Sequence, residues 1–349
     1  MVVQLRYRFR VYPTAPQRAM LARTFGCVRT VYNDAIAVRR AAYAQGLPYP
    51  SKTVLSKMLI KEAKGTPERA WLSEVSAVAL QQALVDVDQA FRNFFDSLGS
   101  ERKGPRVGPP RFKRRSGQQS ARFTRNARFR VLGSGRLRLP KIGDLKVAWS
   151  RELPSEPSSV TVVKTPTGKY FASFVVTVAD LAEVLEPVGD PEAETGIDLG
   201  IKSFAVLRGG KVIENPKFFA RMERQLKKAQ RAFSRKQKGN RNREKARLKV
   251  ARVHERVRAQ REDWLNKQVK ALVGENQALY AEDLNVKSLS HGRAAKSVHD
   301  AAWGAFLRKL ESKAIRRGRT FVKVAPDFPS TRLCSTCGAL TGPKGLGPV

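Results

Sequence analysis

Apolar and polar residues alternate at the very start of the chain. The apolar positions are Val3, Leu5, Tyr7, Phe9 and Val11, and the polar positions between them are Gln4, Arg6, Arg8 and Arg10. A period of two predicts a strand with one buried face, and the other face is cationic here. Two blocks with helical spacing follow, one ending near residue 46 and one running from about residue 70 to 99. We therefore expect a strand followed by a helical bundle at about residues 14–100.

Short β-like segments fill the region from residue 121 to 178, and Gly, Pro and Ser turns separate them. We expect these strands to pair with the N-terminal strand in a wedge-like β-barrel, which makes the helical bundle an insertion in a first domain over residues 1–180. An acidic, Pro-containing stretch over residues 181–195 is predicted to be a linker.

The second half begins with the pattern TGIDLGIKSFAVLRGGKVIENP, which predicts a meander of three strands. Asp198 lies on its first strand, just before Gly200. A long helical region covers about residues 215–273, with Asn215 and Pro216 expected at its start and a break expected between residues 238 and 242. The next apolar strand ends in Glu282 and Asp283. This order predicts an RNase H-like α/β domain over residues 196–326, so the whole chain is expected to be an α+β multidomain protein.

Two carboxylates are predicted to meet in that second domain. In an RNase H-like sheet the fourth strand runs beside the first, which would bring Glu282 within a few ångströms of Asp198. Carboxylate oxygens that face a phosphate substrate are typical ligands of Mg²⁺. We expect Asp283 to cap the turn or to remain exposed.

The charge of the chain indicates a polyanionic partner. Lys and Arg number 67 against 30 acidic residues, a net charge of +37, which favours nucleic acid. The Gly- and Pro-broken loop with Arg111 and Lys113 is predicted to contact phosphates, as is the basic helical hairpin with Lys227, Lys228 and Arg231. A solvated linker and a solvated hairpin are the alternatives.

No apolar run is long enough for a membrane span, and the N-terminal residues are charged where a signal peptide needs an apolar core. We therefore expect a cytoplasmic bacterial protein that associates with nucleic acid, has reduced thiols and has no membrane partner. The sequence does not indicate an oligomeric state.

The last residues contain half of a zinc motif. Cys334 and Cys337 have the Cys-x-x-Cys spacing, and a structural Zn²⁺ site needs four ligands. The other candidate ligands lack a paired spacing; they are Cys27, His254, His291 and His299. The sequence predicts a truncated zinc-ribbon remnant over residues 327–349, with Zn²⁺ binding left open, and a buried apolar role for Cys27.

Together these blocks resemble a known family. The segments RFRVYPTAPQ, VRTVYNDAI, GPPRFKRR, GIDLGIKSFAVL, AEDLNVKSLS, WGAFLRKLESKA and PSTRLCSTCG are similar to those of the TnpB or OrfB proteins of bacterial insertion sequences, across nearly the whole chain. That family comprises RNA-guided DNA endonucleases that are often labelled transposases. The resemblance implies a guide RNA from the transposon end, a target double-stranded DNA and a RuvC-type cleavage site.

The resemblance also implies roles for single residues. Asp198 and Glu282 match the first two RuvC carboxylates, while Tyr49, Gln81 and Thr124 match positions that read DNA beside the target. The family's second Cys pair and its third carboxylate have no counterpart, since GALTGPKGLGPV occupies that region.

We therefore expect an inactive or strongly impaired nuclease that still binds nucleic acid. The alternatives are an active nuclease that uses Asp300 or Asp327, a transposase that performs strand transfer, and a plain basic RNA-binding protein.

Overall fold

The computed structural model describes residues 3–99, 101–102, 106–178, 190–284, 289, 291 and 294–325. The chain forms two compact units, Met1–Ala179 and Asp180–Val349. Within the described ranges, no helix is both long and apolar enough to cross a membrane.

The first unit contains one sheet of seven antiparallel strands. They are β1 (Val3–Tyr12), β2 (Gln119–Thr124), β3 (Arg130–Val131), β4 (Arg136–Leu139), β5 (Gly143–Ala148), β6 (Ser159–Lys164) and β7 (Tyr170–Val178), in the order β2-β6-β7-β1-β5-β4-β3. The N-terminal strand is central because it pairs with β7 along most of its length and with β5 at its end. Among the described residues no pair joins β2 to β3, so the strands form an open sheet where the sequence predicted a barrel.

Helices are inserted between β1 and β2. They are α1 (Ala15–Ala44), α2 (Lys52–Ser56), a π-helical turn (Lys57–Glu62), α3 (Ala77–Leu98) and 3-10 turns at Ala63–Gly65 and Ala70–Glu74; a further 3-10 turn, Arg125–Ala127, follows β2. Thr14 and Gln17 form a capping box at the start of α1. The helices and the sheet share one core that includes Phe9, Leu80 and Phe123, so the insertion is packed as part of the unit.

The second unit has a sheet of five strands. They are β8 (Glu194–Leu199), β9 (Ser203–Leu207), β10 (Val212–Glu214), β11 (Ala278–Glu282) and β12 (Thr320–Val324), in the order β10-β9-β8-β11-β12. The first three are antiparallel neighbours, whereas β11 runs parallel to β8 and β12 runs parallel to β11. By position along the chain this order is 3-2-1-4-5.

Four helices accompany this sheet in the part of the chain that the structure describes. They are α4 (Phe218–Ser234), α5 (Arg241–Glu275), α6 (Ala295–Ala301) and α7 (Trp303–Arg316), with a 3-10 turn at Arg208–Gly210. The C-terminal half of α5 and the apolar face of α7 pack around Phe204, Leu279 and Phe306 in the core. The N-terminal half of α5 instead pairs with α4.

The basic helical region starts and breaks at slightly different places from those predicted. Lys217 precedes α4 with a left-handed backbone (φ 46°), and the Asn215 side chain accepts a hydrogen bond from its N–H at 3.2 Å. Asn215 and Pro216 therefore belong to the approach to the helix rather than to its first turn. The break lies at residues 235–240, where Asn240 caps α5 by accepting from the N–H of Asn242 at 2.9 Å.

Candidate active site and nucleic-acid surface

Asp198 and Glu282 lie at the ends of two adjacent parallel strands. The register of β8 and β11 pairs Ala281 with Ile197 as its last pair, so the next position on each strand is Glu282 and Asp198. Neighbouring strands are about 4.8 Å apart, and side chains in register share one face of the sheet. Asp198 is exposed and Glu282 is half-buried. The two carboxylates therefore belong to one accessible edge.

The alternation of each strand explains this placement. On β8 the residues Thr195, Ile197 and Leu199 are buried, which turns Asp198 to the opposite face. On β11 the buried Leu279 and Ala281 do the same for Glu282.

A tight turn follows Asp198. A Cβ atom at Gly200 would lie only 2.9 Å from the carbonyl oxygen of Ser203. Only glycine fits this turn, which sends the chain back into β9 immediately after Asp198.

The chemistry of the pair suits a hard divalent cation, since each residue offers carboxylate oxygens on the same face. Asp283 does not join them, because its carboxylate is 3.4 Å from Lys323 Nζ and its N–H donates to the carbonyl of Val324 at 3.0 Å. Over the described ranges, no three His, Cys, Asp or Glu side chains cluster in a way that could hold a metal. The described residues thus supply two carboxylates to this edge.

Asp300 does not serve as the third carboxylate, an alternative that the sequence left open. The residue is 8% exposed, and its carboxylate accepts hydrogen bonds from the N–H groups of Phe219 at 2.8 Å and Ala220 at 3.0 Å. Arg261 Nη2 contacts it at 3.2 Å. Both oxygens are thus occupied by the first turn of α4. The other alternative, Asp327, lies outside the described residues.

A stripe of cations covers one exposed face of α4 and continues to the residue just after it. Its residues line a shallow groove and recur at intervals of about one turn; we call them the basic stripe: Arg224, Lys227, Lys228, Arg231 and Arg235. Glu223 is the acidic group beside it, and it pairs with Lys227 at 3.0 Å and with Lys296 of α6. Hydrogen bonds from Lys296 and then Lys227 lower the pKa of Glu223. The stripe therefore keeps a strong positive excess.

The loop before β2, which the sequence predicted to contact phosphates, is fastened to α1. Asn33 accepts from the backbone N–H of Lys113 at 2.8 Å and donates to its carbonyl at 3.1 Å. The Lys113 ammonium lies 3.8 Å from the centre of the Tyr32 ring, and burial is the main cause that lowers its pKa. Lys113 thus points inward, which argues against its predicted phosphate contact, whereas Arg111 is exposed.

The predicted DNA-reading residues lie on separate elements of the first unit. Tyr49 is 49% exposed, and its ring packs 6.0 Å from that of Phe91 with the Arg39 guanidinium 4.3 Å from its centre. Gln81 is exposed on α3, and Thr124 is half-buried at the end of β2. The helix α3 contacts β2. The joint role of the three residues stays a prediction.

Comparison with known proteins identifies the family. A family model described as "Probable transposase" matches residues 173–292, and one described as "Cas12f1-like, TNB domain" matches residues 303–345. A protein of Streptomyces pristinaespiralis named "Putative RNA-guided DNA endonuclease" is 42% identical over 345 residues, which cover 97% of this chain and 82% of that protein. The chain belongs to the TnpB/OrfB family.

More distant relatives extend the match. The Escherichia coli protein named "Putative RNA-guided DNA endonuclease InsQ" is 29% identical over 95% of this chain and 83% of its own length. The solved cryo-EM structure of a Cas12f1–sgRNA–target DNA complex matches with a TM-score of 0.53 at 14% identity, over 98% of this chain and 92% of that one. This TnpB/OrfB chain therefore shares its fold with Cas12f1.

Two of the family matches need comment, one because the structure over its residues differs from its description and one because it extends past the described residues. A third model, described as "Helix-turn-helix domain", matches residues 1–47, where the structure has β1 and the single 30-residue helix α1. The TNB match includes α7, β12 and both Cys334 and Cys337, but these two cysteines lie outside the described residues. The predicted zinc half-site is therefore still a prediction.

Cys27 is buried, as the sequence predicted. Cys27 is 3% exposed in the core of the first unit, and burial raises the pKa of its thiol to about 11. A buried thiol with a raised pKa is a poor nucleophile at neutral pH, as expected for a residue that packs as a small apolar side chain.

Proposed function

We propose that this chain binds a guide RNA and a target double-stranded DNA, and that the pair Asp198 and Glu282 forms the core of an RNase H-like, RuvC-type DNA-cleavage site. The adjacency of the two carboxylates on parallel strands carries the proposal. The strand order of the second unit and the names of the relatives support it.

The chain's own groups would divide the work. Asp198 and Glu282 would hold Mg²⁺, which when bound supplies charge stabilisation to the reacting phosphate and activates water. The exposed position of Asp198 leaves the strand end accessible to a DNA backbone. The basic stripe would bind phosphates along a strand without reading its sequence.

A plain RNA-binding protein would account for the basic stripe but not for two carboxylates placed side by side at a strand end. Like charges opposite each other on neighbouring strands repel, and a shared divalent cation would offset that repulsion. A strand-transfer transposase would need the same carboxylates, so the geometry does not favour it over a nuclease.

Asp300 does not complete the described edge, because its carboxylate is engaged by the first turn of α4. Each carboxylate ligand of the proposed site should contribute strongly to the rate. Loss of a ligand that supplies about 4 kcal/mol of transition-state stabilisation lowers the rate about a thousandfold, which is the effect that we expect of Asp198→Asn.

The test begins with sequencing the RNA that co-purifies with the chain, which would be used to choose a matching DNA duplex. Cleavage with Mg²⁺ would then be compared for the chain and for its Asp198→Asn and Asp283→Asn variants. We expect Asp198→Asn to abolish cleavage and Asp283→Asn to leave it unchanged. Absence of a defined co-purified RNA, or equal cutting by the chain and its Asp198→Asn variant, would contradict the proposal.

A further inference from the structure

We infer that Asp300 is a positioning residue for nucleic-acid binding: its buried carboxylate clamps the N-terminus of α4 and so sets where the basic stripe lies. The inference rests on the proposed function in one respect, namely that the stripe binds a phosphate backbone. The same residue is the one that the sequence left open as an alternative third catalytic carboxylate.

The first turn of α4 has no local cap. Lys217 precedes the helix in a left-handed conformation, and its side chain makes no capping hydrogen bond. The first N–H groups of any helix lack partners within the helix and carry a partial positive charge. Asp300 supplies an acceptor to two of them, at 2.8 and 3.0 Å, from a residue about 80 positions away.

The same carboxylate joins three helices. Arg261 of α5 contacts the Asp300 carboxylate at 3.2 Å, and Asp300 itself lies on α6. The helices α4, α5 and α6 therefore meet at one buried group. Lys296, one turn earlier on α6, pairs with Glu223 of α4. The short helix α6 therefore braces α4 at two points.

The entry to α4 is also tied to the turn that follows the strand with Asp198. Asn215 donates a hydrogen bond to the carbonyl of Ile201 at 2.9 Å and accepts one from Lys217. Ile201 is three residues beyond Asp198 in the chain. The start of α4 is thus anchored to the carboxylate edge on one side and to Asp300 on the other.

The near end of the basic stripe depends most on this clamp. Arg224 follows Phe219 by five residues, about 7.5 Å along the helix, whereas Arg235 is about 24 Å away. The far end has its own contact, because the Arg243 guanidinium of α5 lies 4.4 Å from the centre of the Phe233 ring. Loss of the clamp should therefore misplace Arg224, Lys227 and Lys228 before it affects Arg235.

The substitution Asp300→Asn tests the inference by the direction in which it changes nucleic-acid affinity. It keeps the size of the side chain but puts an NH2 group against N–H donors, so one cap is lost. It also removes a negative charge from a strongly cationic protein, which by electrostatics alone should tighten nucleic-acid binding. A clamp predicts the opposite change. Asp263→Asn is the matched control, because Asp263 is exposed on α5 and pairs only with Lys267 at 2.8 Å among the ion pairs of the described chain.

Binding would be measured by fluorescence anisotropy with a labelled RNA hairpin and, in a second arm, a labelled DNA duplex, between about 50 and 200 mM salt. For Asp300→Asn we expect about tenfold weaker binding and a salt slope smaller in magnitude by about two, because each lost phosphate contact changes the slope by about 0.9 for duplex DNA and 0.7 for single strands. A merely unfolded fraction would lower the active concentration and leave the slope unchanged. An effect in one arm alone would identify that nucleic acid as the stripe's ligand.

Hydrogen exchange of the full chain provides a second measurement, and its first part uses only the unmodified chain. In the unmodified chain, the amides of Phe219 and Ala220 should exchange more slowly than uncapped amides in the first turn of a helix. In Asp300→Asn they should exchange faster while β8 and β11 stay protected. Binding that is unchanged or tighter in Asp300→Asn, or unprotected first-turn amides in the unmodified chain, would overturn the inference. Failure of the unmodified chain to bind either probe would instead contradict the proposed function.

Discussion

The proposed metal site predicts that the protein without Mg²⁺ is strained at the carboxylate pair. Asp198 and Glu282 occupy in-register positions on strands about 4.8 Å apart. Two negative charges about 5 Å apart repel by about 3 kcal/mol at an effective dielectric of 20 and about 0.8 kcal/mol in bulk water. Since Asp198 is exposed, the lower figure applies more closely. We therefore expect Asp198→Asn to raise the free energy of unfolding of the second unit by about 1 kcal/mol in the absence of metal.

Mg²⁺ should reverse the order of stability. A cation that binds only the folded site at ten times its Kd stabilises it by about 1.4 kcal/mol, and Asp198→Asn should abolish that gain. The assay is calorimetric unfolding of the full chain with and without Mg²⁺, so that the Mg²⁺-responsive transition identifies the second unit. Asp283→Asn is the control, because Asp283 neighbours the pair in sequence but contacts Lys323; its Mg²⁺ response should be unchanged.

A double-mutant cycle with Glu282→Gln isolates the interaction between the two carboxylates. If the pair repels, the second substitution should gain little once the first is made, with a coupling of about 1 kcal/mol. If the two substitutions changed the free energy of unfolding additively, and if Mg²⁺ did not change the melting temperature, the two side chains would not share one site.

Three further predictions concern binding and stability. Reversing the charges of Lys227, Lys228 and Arg231 should weaken binding to unrelated RNA and DNA sequences alike, as measured by anisotropy; a sequence-selective loss would count against backbone contact. Gln81→Ala should change the DNA motif preferred beside the target, as measured by selection from a randomised library, and an unchanged motif would remove Gln81 from that role. Asp88→Asn should lower the free energy of unfolding of the first unit by about 3 kcal/mol in urea titrations, because it strands a guanidinium that is 1% exposed and 2.9 Å away. Burial alone would raise the pKa of Asp88, but hydrogen bonds from its two arginine partners lower it; the stabilisation should thus persist at neutral pH and fade below about pH 4. A decrease in the free energy of unfolding of less than about 1 kcal/mol in Asp88→Asn would contradict this prediction.

The local chemistry of the carboxylate edge could be predicted from the sequence. Alternation on β8 and β11 determines which face each side chain takes, and the order of three antiparallel strands, a helical connection and a parallel strand leaves few ways to pair them. The face that Asp198 and Glu282 each take is thus set locally, and the order of the elements brings their two strands together. The glycine at position 200 belongs to the same local pattern.

The roles of Lys113 and Asp300 depend on residues about 80 positions away, and no local pattern indicates them. Asn33 fastens the backbone of Lys113, and Tyr32 receives its ammonium, so a loop with no apolar period is held in place by polar contacts. A basic, Gly- and Pro-rich sequence looks the same whether its lysine faces solvent or an aromatic ring. Its inward position is a property of the packed helices.

Asp300 shows why a count of carboxylates does not identify a catalytic group. A carboxylate can hold a metal only if its oxygens are free to turn toward one, and a buried carboxylate needs donors to offset its lost hydration. The first turn of α4 offers such donors because Lys217 leaves it uncapped, and Arg261 adds a compensating charge. Moving Asp300 to the edge that holds Asp198 would deprive those N–H groups and Arg261 of this acceptor. The same contacts that exclude Asp300 from catalysis therefore make it the residue on which the position of the basic stripe depends.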